Sequence, residues 1–151
     1  MSKQLTILVG TVSGNAEMTA EEMSDVLADS PLTITIRSMA DLDASVFDGG
    51  GDFLVCTSTH GLGDVPDDAL DFFEDVEDRK PDLSTVRFGV FCLGDSVYET
   101  FAGAGKQFVA LLKGCGAKLV GEMGVHDASE GDLAEEVGAD WIRVWVELLE
   151  G

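Results

Sequence analysis

Three short stretches, Leu5–Gly10, Phe53–Ser58 and Phe88–Gly94, are almost continuously apolar and rich in Val, Ile, Leu and Phe. They lack the in-out alternation of a half-exposed strand, so both of their faces must be covered. That pattern belongs to parallel sheets sandwiched between helices. Further strands are expected at Thr33–Arg37 and Lys118–Val120, the last resuming near Met123–Val125. Amphipathic stretches alternate with them and predict helices over Ala16–Ala28, Asp67–Asp78, Phe101–Lys113 and Leu133–Leu149, with a shorter helical turn at Met39–Leu42. The expected fold is α/β: a doubly wound, five-stranded parallel sheet with helices on both faces, in one domain over residues 1–151. Gly49-Gly50-Gly51 is expected to be the loop before the third strand, because apolar periodicity resumes immediately after it.

No run approaches the roughly 20 apolar residues of a membrane span. The first residues lead straight into a strand with no basic leader, which predicts a soluble, cytoplasmic protein. Cys56 and Cys92 lie inside apolar runs and Cys115 lies between glycines, so neither a disulfide framework nor a Cys-x-x-Cys pair is expected, and the first two should be buried thiols. Asp and Glu number 29 against 9 Lys and Arg, a net charge of −20, which makes nucleic acid an unfavourable partner. Glu17, Glu21, Asp25 and Asp29 recur at helical spacing, as do Asp67, Asp71 and Asp75. Like charges so placed repel by a few tenths of a kcal/mol per pair, and molar salt suppresses this by shortening the Debye length to about 3 Å. The composition thus suggests a salt-rich cytoplasm; a docking surface for basic partners is a compatible second reading.

In an open sheet of this kind ligands collect beyond the carboxyl ends of the strands, where strand order reverses. Three loops are selected: Thr11–Glu17, Thr59–Asp64 and Asp95–Thr100. The first runs from strand to helix as Gly10-Thr11-Val12-Ser13-Gly14-Asn15-Ala16-Glu17. Its glycines, hydroxyls and helix-start amides form a seat for phosphate. Neither the Walker pattern nor Gly-x-Gly-x-x-Gly is present, and no Lys or Arg accompanies the loop, so a terminal phosphomonoester fits better than a triphosphate.

These segments resemble the three flavin loops of the flavodoxin family. The first is similar to Ser/Thr-x-Thr-Gly-Asn-Thr-Glu, the second is Ser58-Thr59-His60-Gly61-Leu62-Gly63-Asp64, and the third is Gly94-Asp95-Ser96-Val97-Tyr98-Glu99-Thr100-Phe101. Together with Lys80–Ser84 and Arg87–Gly89 they look like the short, MioC-type flavodoxins and the FMN domains of diflavin reductases. The resemblance implies FMN as the cofactor, held at its phosphate by Thr11, Val12, Ser13, Gly14, Asn15 and Ala16. Ala16 stands where many relatives carry threonine, so one hydroxyl contact is missing. Tyr98 would stack on the isoalloxazine ring, and His60 would lie against its other face. Gly61 would turn its carbonyl toward the ring edge, and Thr59, Gly63, Gly94, Asp95, Phe101 and Asp127 would complete the contacts, His126 accompanying Asp127. No catalytic or metal-binding residue is expected.

The implied role is a monomeric electron carrier between a flavin or ferredoxin-type reductase and acceptor proteins, with docking through acidic surface. Two other classes compete with it. A receiver-type signalling domain shares the fold but needs a phosphoacceptor Asp after the third strand, where this chain reads Cys56-Thr57-Ser58-Thr59. A flavodoxin-shaped interaction protein without cofactor is the other alternative.

Overall fold

The computed structural model describes residues 3–10, 15–30, 32–58, 67–94, 103–127 and 133–150. The elements in chain order are β1 (Lys3–Gly10), α1 (Asn15–Val26), β2 (Leu32–Ser38), 3₁₀ turns at Met39–Asp41 and Ala44–Phe47, and β3 (Gly51–Ser58). They continue with α2 (Asp67–Arg79), β4 (Val86–Gly94), α3 (Gly103–Gly114), β5 (Lys118–Leu119), β6 (Gly124–Asp127) and α4 (Ala134–Glu150). The strands are all parallel in the order β2-β1-β3-β4-β5, and β6 pairs with β4 farther along the same edge. The fifth position of the sheet is therefore filled by two pieces.

The break has a local cause. Val120 N still donates to Phe88 O at 2.8 Å, but Gly121 then takes φ +68 and the chain leaves the ladder until Gly124. The Val120 carbonyl instead accepts from Trp145 Nε1 at 2.9 Å, so no buried polar group is stranded. The resumption expected near Met123–Val125 falls at Gly124–Asp127.

Alternate residues of the sheet feed two cores. Leu5, Ile7, Val9, Leu54, Cys56, Phe91 and Leu93 pack beneath α1 and α4, while Leu8, Phe53, Val55, Val86, Phe88 and Val90 pack beneath α2, α3 and the 3₁₀ turns. Both sheet faces are thus covered, as the unbroken apolar runs require. On α1, Ala16, Thr19, Ala20 and Met23 are buried, while Glu17, Glu21, Asp25 and Asp29 are exposed on and just beyond it. The Asp67-Asp71-Asp75 row is not a simple repulsive ladder. Asp71 is exposed, but Asp75 accepts from Ala44 N at 2.8 Å and from Arg79 Nε at 2.9 Å, so its charge is held by donors; the Asp67 side chain lies outside the described residues.

The second 3₁₀ turn was not expected from sequence. Asp43 caps it by accepting from Ser45 N at 2.9 Å and from the Ser45 hydroxyl, which together hold its carboxyl below the ordinary range. It exists to bring Phe47 onto Phe53 and Phe72, at centroid distances of 4.8 and 5.9 Å. The triple glycine turns as expected, yet Gly51 already pairs with Val86, so β3 begins two residues before Phe53. At Gly50, φ is +69 and a Cβ would stand 2.5 Å from Thr85 Oγ1, so only glycine suits this approach.

α4 is seated by glycines. A Cβ at Gly89 of β4 would lie 2.4 Å from Trp145 Nε1, and one at Gly124 of β6 the same distance from Trp141 Nε1. The two indoles stack at 5.7 Å over these bare patches of sheet. At its other flank, Gly138 lets α4 close on Thr19 and Met23 of α1. The C-terminal end of α4 is tied down by Arg87, which forks onto both oxygens of Asp52 at 2.9 and 3.0 Å and also donates to Leu149 O.

Candidate cofactor site

The sheet brings four strand ends level along one edge. Gly10 pairs with Thr57, Ser58 with Leu93, and Gly94 with Asp127, so β1, β3, β4 and β6 finish side by side. β1 and β3 are neighbours, yet β1 leads into α1 on one face and β3 into α2 on the other. A crevice opens where two adjacent chains depart in opposite directions, and this is the ligand position of doubly wound sheets.

α1 begins at Asn15, immediately after the first candidate loop. Its first-turn amides, at Asn15, Ala16 and Glu17, have no acceptor within the helix. The aligned peptide dipoles add about half a positive charge at that end. Ala16 is fully buried in the core on the α1 side, and its carbonyl accepts from Cys56 Sγ at 3.4 Å. Burial pushes the Cys56 thiol well above its ordinary value, so it remains a neutral S–H donor under the helix start.

Gly10 shapes the floor of the crevice. A Cβ there would come within 2.7 Å of Ala69 Cβ, 3.2 Å of Met39 Sδ and 3.3 Å of Thr57 Oγ1. Any side chain at this position would lift the first turn of α2 away from the end of β1. Thr57 is buried with its hydroxyl donating to Ser58 O at 3.0 Å. Ala69, Met39 and Thr57 therefore support the site although sequence reasoning did not select them. A glycine closing an apolar strand gives a hint of close approach, but not the partner.

Of the residues expected at the site, Asn15 and Ala16 open α1, Gly94 ends β4 and Asp127 ends β6, all on the crevice edge. Asp127 is half-buried and His126 is buried, and neither is without a partner. Thr11, Val12, Ser13, Gly14, Thr59, His60, Gly61, Gly63, Asp95, Tyr98 and Phe101 lie outside the described residues, as does the Asn15 side chain. By connectivity, each of the segments that carry them leaves the sheet at one of the level ends. Segments 10–17, 58–64 and 94–101 contain no Lys or Arg. An anion bound there must rest on neutral donors and the helix end, which suits a phosphomonoester. Among the described residues no group of His, Cys, Asp and Glu is arranged to hold a metal.

Comparison with known proteins gives the same assignment over nearly the full length. The flavodoxin family profile matches residues 7–141. Protein MioC of Escherichia coli K12 is 38% identical over 149 residues, covering 97% of this chain and 98% of that one. The flavoprotein alpha-component of Bacillus subtilis NADPH sulfite reductase is 36% identical over 144 residues, 95% of this chain but 23% of that longer protein. A cysteine-to-serine mutant of flavodoxin from Pseudomonas aeruginosa superposes with a TM-score of 0.87 at 33% identity, covering 98% of this chain and 99% of that one. By this family match over residues 7–141 and these near full-length relatives, the chain belongs to the flavodoxin family, of the short MioC type, and its cofactor is FMN.

Proposed function

We propose that this protein is a one-domain electron carrier that accepts electrons from a separate flavin or ferredoxin-type reductase and hands them to acceptor proteins. The observation that carries the reading is the level carboxyl edge of β1, β3, β4 and β6 beside the open amide end of α1. Bound FMN supplies the one- and two-electron chemistry. The chain's own part is to fix the phosphate on the amides of residues 11–16 and to cover the ring with Tyr98 and His60. Gly61 offers a peptide that turns without Cβ strain. Asp95, Asp127 and their neighbours border the rest, and crowded carboxylates around an already anionic cofactor make added electrons costlier, so the reduced protein is a strong donor. A carrier is favoured over a self-contained enzyme because the sequence offers only His60 and His126 as histidines and no Ser-His-Asp, Cys-His or metal-ligand pattern.

The acid coat suits a salt-rich cytoplasm. Exposed Glu17, Glu21, Asp25 and Asp29 repel along α1, and Asp71, Glu74, Glu77 and Asp78 crowd α2. Asp64, Asp67 and Asp68 follow the second cofactor segment and offer a place for a basic partner beside the ring, with the protein acting as a monomer. No described helix is long and apolar enough to cross a membrane.

The test is direct. Purified in molar salt, the protein is expected to be yellow, and the colourless form should take up one FMN per chain with heat in calorimetry. Colourless protein with no heat on FMN addition refutes the reading. Thermal stability that is unchanged between molar and millimolar salt would refute the salt adaptation alone.

A further inference from the structure

The acid coat has one gap. Residues 100–121 contain no Asp or Glu, the longest such stretch in a chain with 29 of them, and they include Lys106, Lys113 and Lys118. α3 occupies the centre of this stretch. Ala104, Gly105, Phe108 and Leu112 turn into the core, while Lys106, Gln107, Ala110, Lys113 and Gly114 are exposed. Lys106, Ala110 and Lys113 are spaced by four and three residues and so share one face. Neither lysine is in an ion pair with a described residue. The first turn of α3 also carries no acid to offset its positive dipole end. Lys118, on the edge strand β5, lies outside this face.

The surroundings define the patch. A groove of about 590 Å³ runs along the same helix, walled by Ala110 and Leu111 of α3 and by Pro81 beyond α2. Its α2 side bears Glu77 and Asp82 with Lys80. The outer face of α2 is acidic, and α1 with its acids lies on the opposite side of the sheet. An acidic body approaching this protein is repelled from α1 and α2, whereas α3 offers two exposed lysines on a helix that bears no acid. The amino end of that helix follows the third cofactor segment, so a partner resting on it stands beside the carboxyl edge of the sheet.

We propose that the outward face of α3, centred on Lys106, Ala110 and Lys113, is the docking surface for an acidic protein partner. This rests on the electron-carrier reading and adds a second class of partner to the basic one assigned to the acidic rim. Charge complementarity selects the occupant: short-range lysine–carboxylate contacts survive at salt concentrations that screen the repulsion between two acidic bodies.

Protein-film voltammetry of the FMN-loaded chain tests it, with carboxylate-terminated gold monolayers as the probe. Salt between roughly 0.15 and 1 M gives Debye lengths of about 8 to 3 Å, so the monolayer reads the facing surface and not carboxylates about 30 Å away across the domain. The wild-type protein is expected to give a flavin signal on the carboxylate monolayer despite its charge of −20. K106E/K113E is expected to lose about tenfold in that signal while keeping its signal on an amine-terminated monolayer, which shows that it is folded and loaded. E21Q/D25N on α1 should keep the carboxylate signal. Absence of the wild-type signal on carboxylate, or an equal signal from K106E/K113E, overturns the proposal. Light scattering in which K106E/K113E abolishes self-association would assign the face to a second copy and overturn it as well. Loss of flavin signal on both monolayers would instead mark failure of the FMN reading.

Discussion

Replacing Gly89 with alanine tests whether the tryptophan seat holds the sheet and α4 together. The added methyl would stand 2.4 Å from Trp145 Nε1, 2.5 Å from Cε2 and 2.7 Å from Cζ2, about 1 Å inside ordinary contact. Gly89 lies in the interior of β4, paired to Leu54, so the strand cannot retreat. The indole must move, yet it is 1% exposed and stacked on Trp141. A shift of about 1 Å breaks its 2.9 Å hydrogen bond to Val120 O, the bond that satisfies the carbonyl freed where β5 ends. Overpacking costs about 1–3 kcal/mol, and a stranded buried carbonyl about 1–3 more. The restricted unfolded chain returns about 0.5–1 kcal/mol. The expected net loss is about 2–4 kcal/mol, a fall in Tm of about 5–15 °C for a domain of this size. Urea unfolding of the FMN-free protein, followed by tryptophan fluorescence, measures it without ligand linkage. Gly49→Ala, whose Cβ meets nothing within 4 Å, is the control and should change stability by no more than about 0.5 kcal/mol. Trp145→Phe removes the ring atoms involved, so G89A should cost less in that background. Strictly additive effects, or a fully stable G89A, would refute the argument.

Three further outcomes follow from the same contacts. Cys56 keeps its proton in the folded state, while the unfolded thiol ionises near about 8.5. Below that pH the thiol adds no pH dependence; above it the unfolded chain binds fewer protons, so stability should fall by about 1.4 kcal/mol per pH unit from this group, and Cys56→Ala should remove that slope in urea titrations at about pH 9–10.5. Gly138→Ala would place its Cβ 2.6 Å from Thr19 Cγ2 and push α1, with the amide end proposed to hold the phosphate, off α4. The cost of about 1 kcal/mol should weaken FMN binding about fivefold in calorimetry, with T19S restoring it. Ala16→Thr adds a hydroxyl to the first turn of α1 and should tighten FMN about fivefold, worth about 1 kcal/mol, in the same measurement.

The fold was legible because its main signal is local. Buried parallel strands are written as unbroken apolar runs, and helices as polar residues alternating at helical spacing with small and apolar ones. The features that escaped depend on residues far away in sequence. The turn at Ala44–Phe47 is too short for any periodicity, and its opening amide is satisfied by Asp75, 31 residues on. The glycines at 89, 124 and 138 read as weak points of strands and a helix until Trp141, Trp145 and Thr19 are seen above them. The candidate site was legible in part for the same reason. Gly10 and the start of α1 are marked by residue type, whereas the floor made by Met39, Thr57 and Ala69 comes from three different elements and leaves no shared pattern in the chain.

Charge illustrates how a pattern changes meaning once it is folded. As a count, −20 describes the whole molecule and suggests a uniform coat. The parallel topology sorts it: α1 places its acids on one side of the sheet, α2 places its own on the other, and α3 stands beside α2 with two unpaired lysines among the described residues. Because pairwise repulsion decays within a Debye length, what a partner meets is set by the nearest helix and not by the total. An electron carrier must release each partner after the transfer, and the two faces of opposite sign proposed above would let donor and acceptor be told apart without a large, slowly dissociating interface. The same reasoning explains why the acid-free stretch at residues 100–121 coincides with a helix at the sheet's later edge: a gap in charge can act as a recognition element only where the backbone gathers it onto one exposed face.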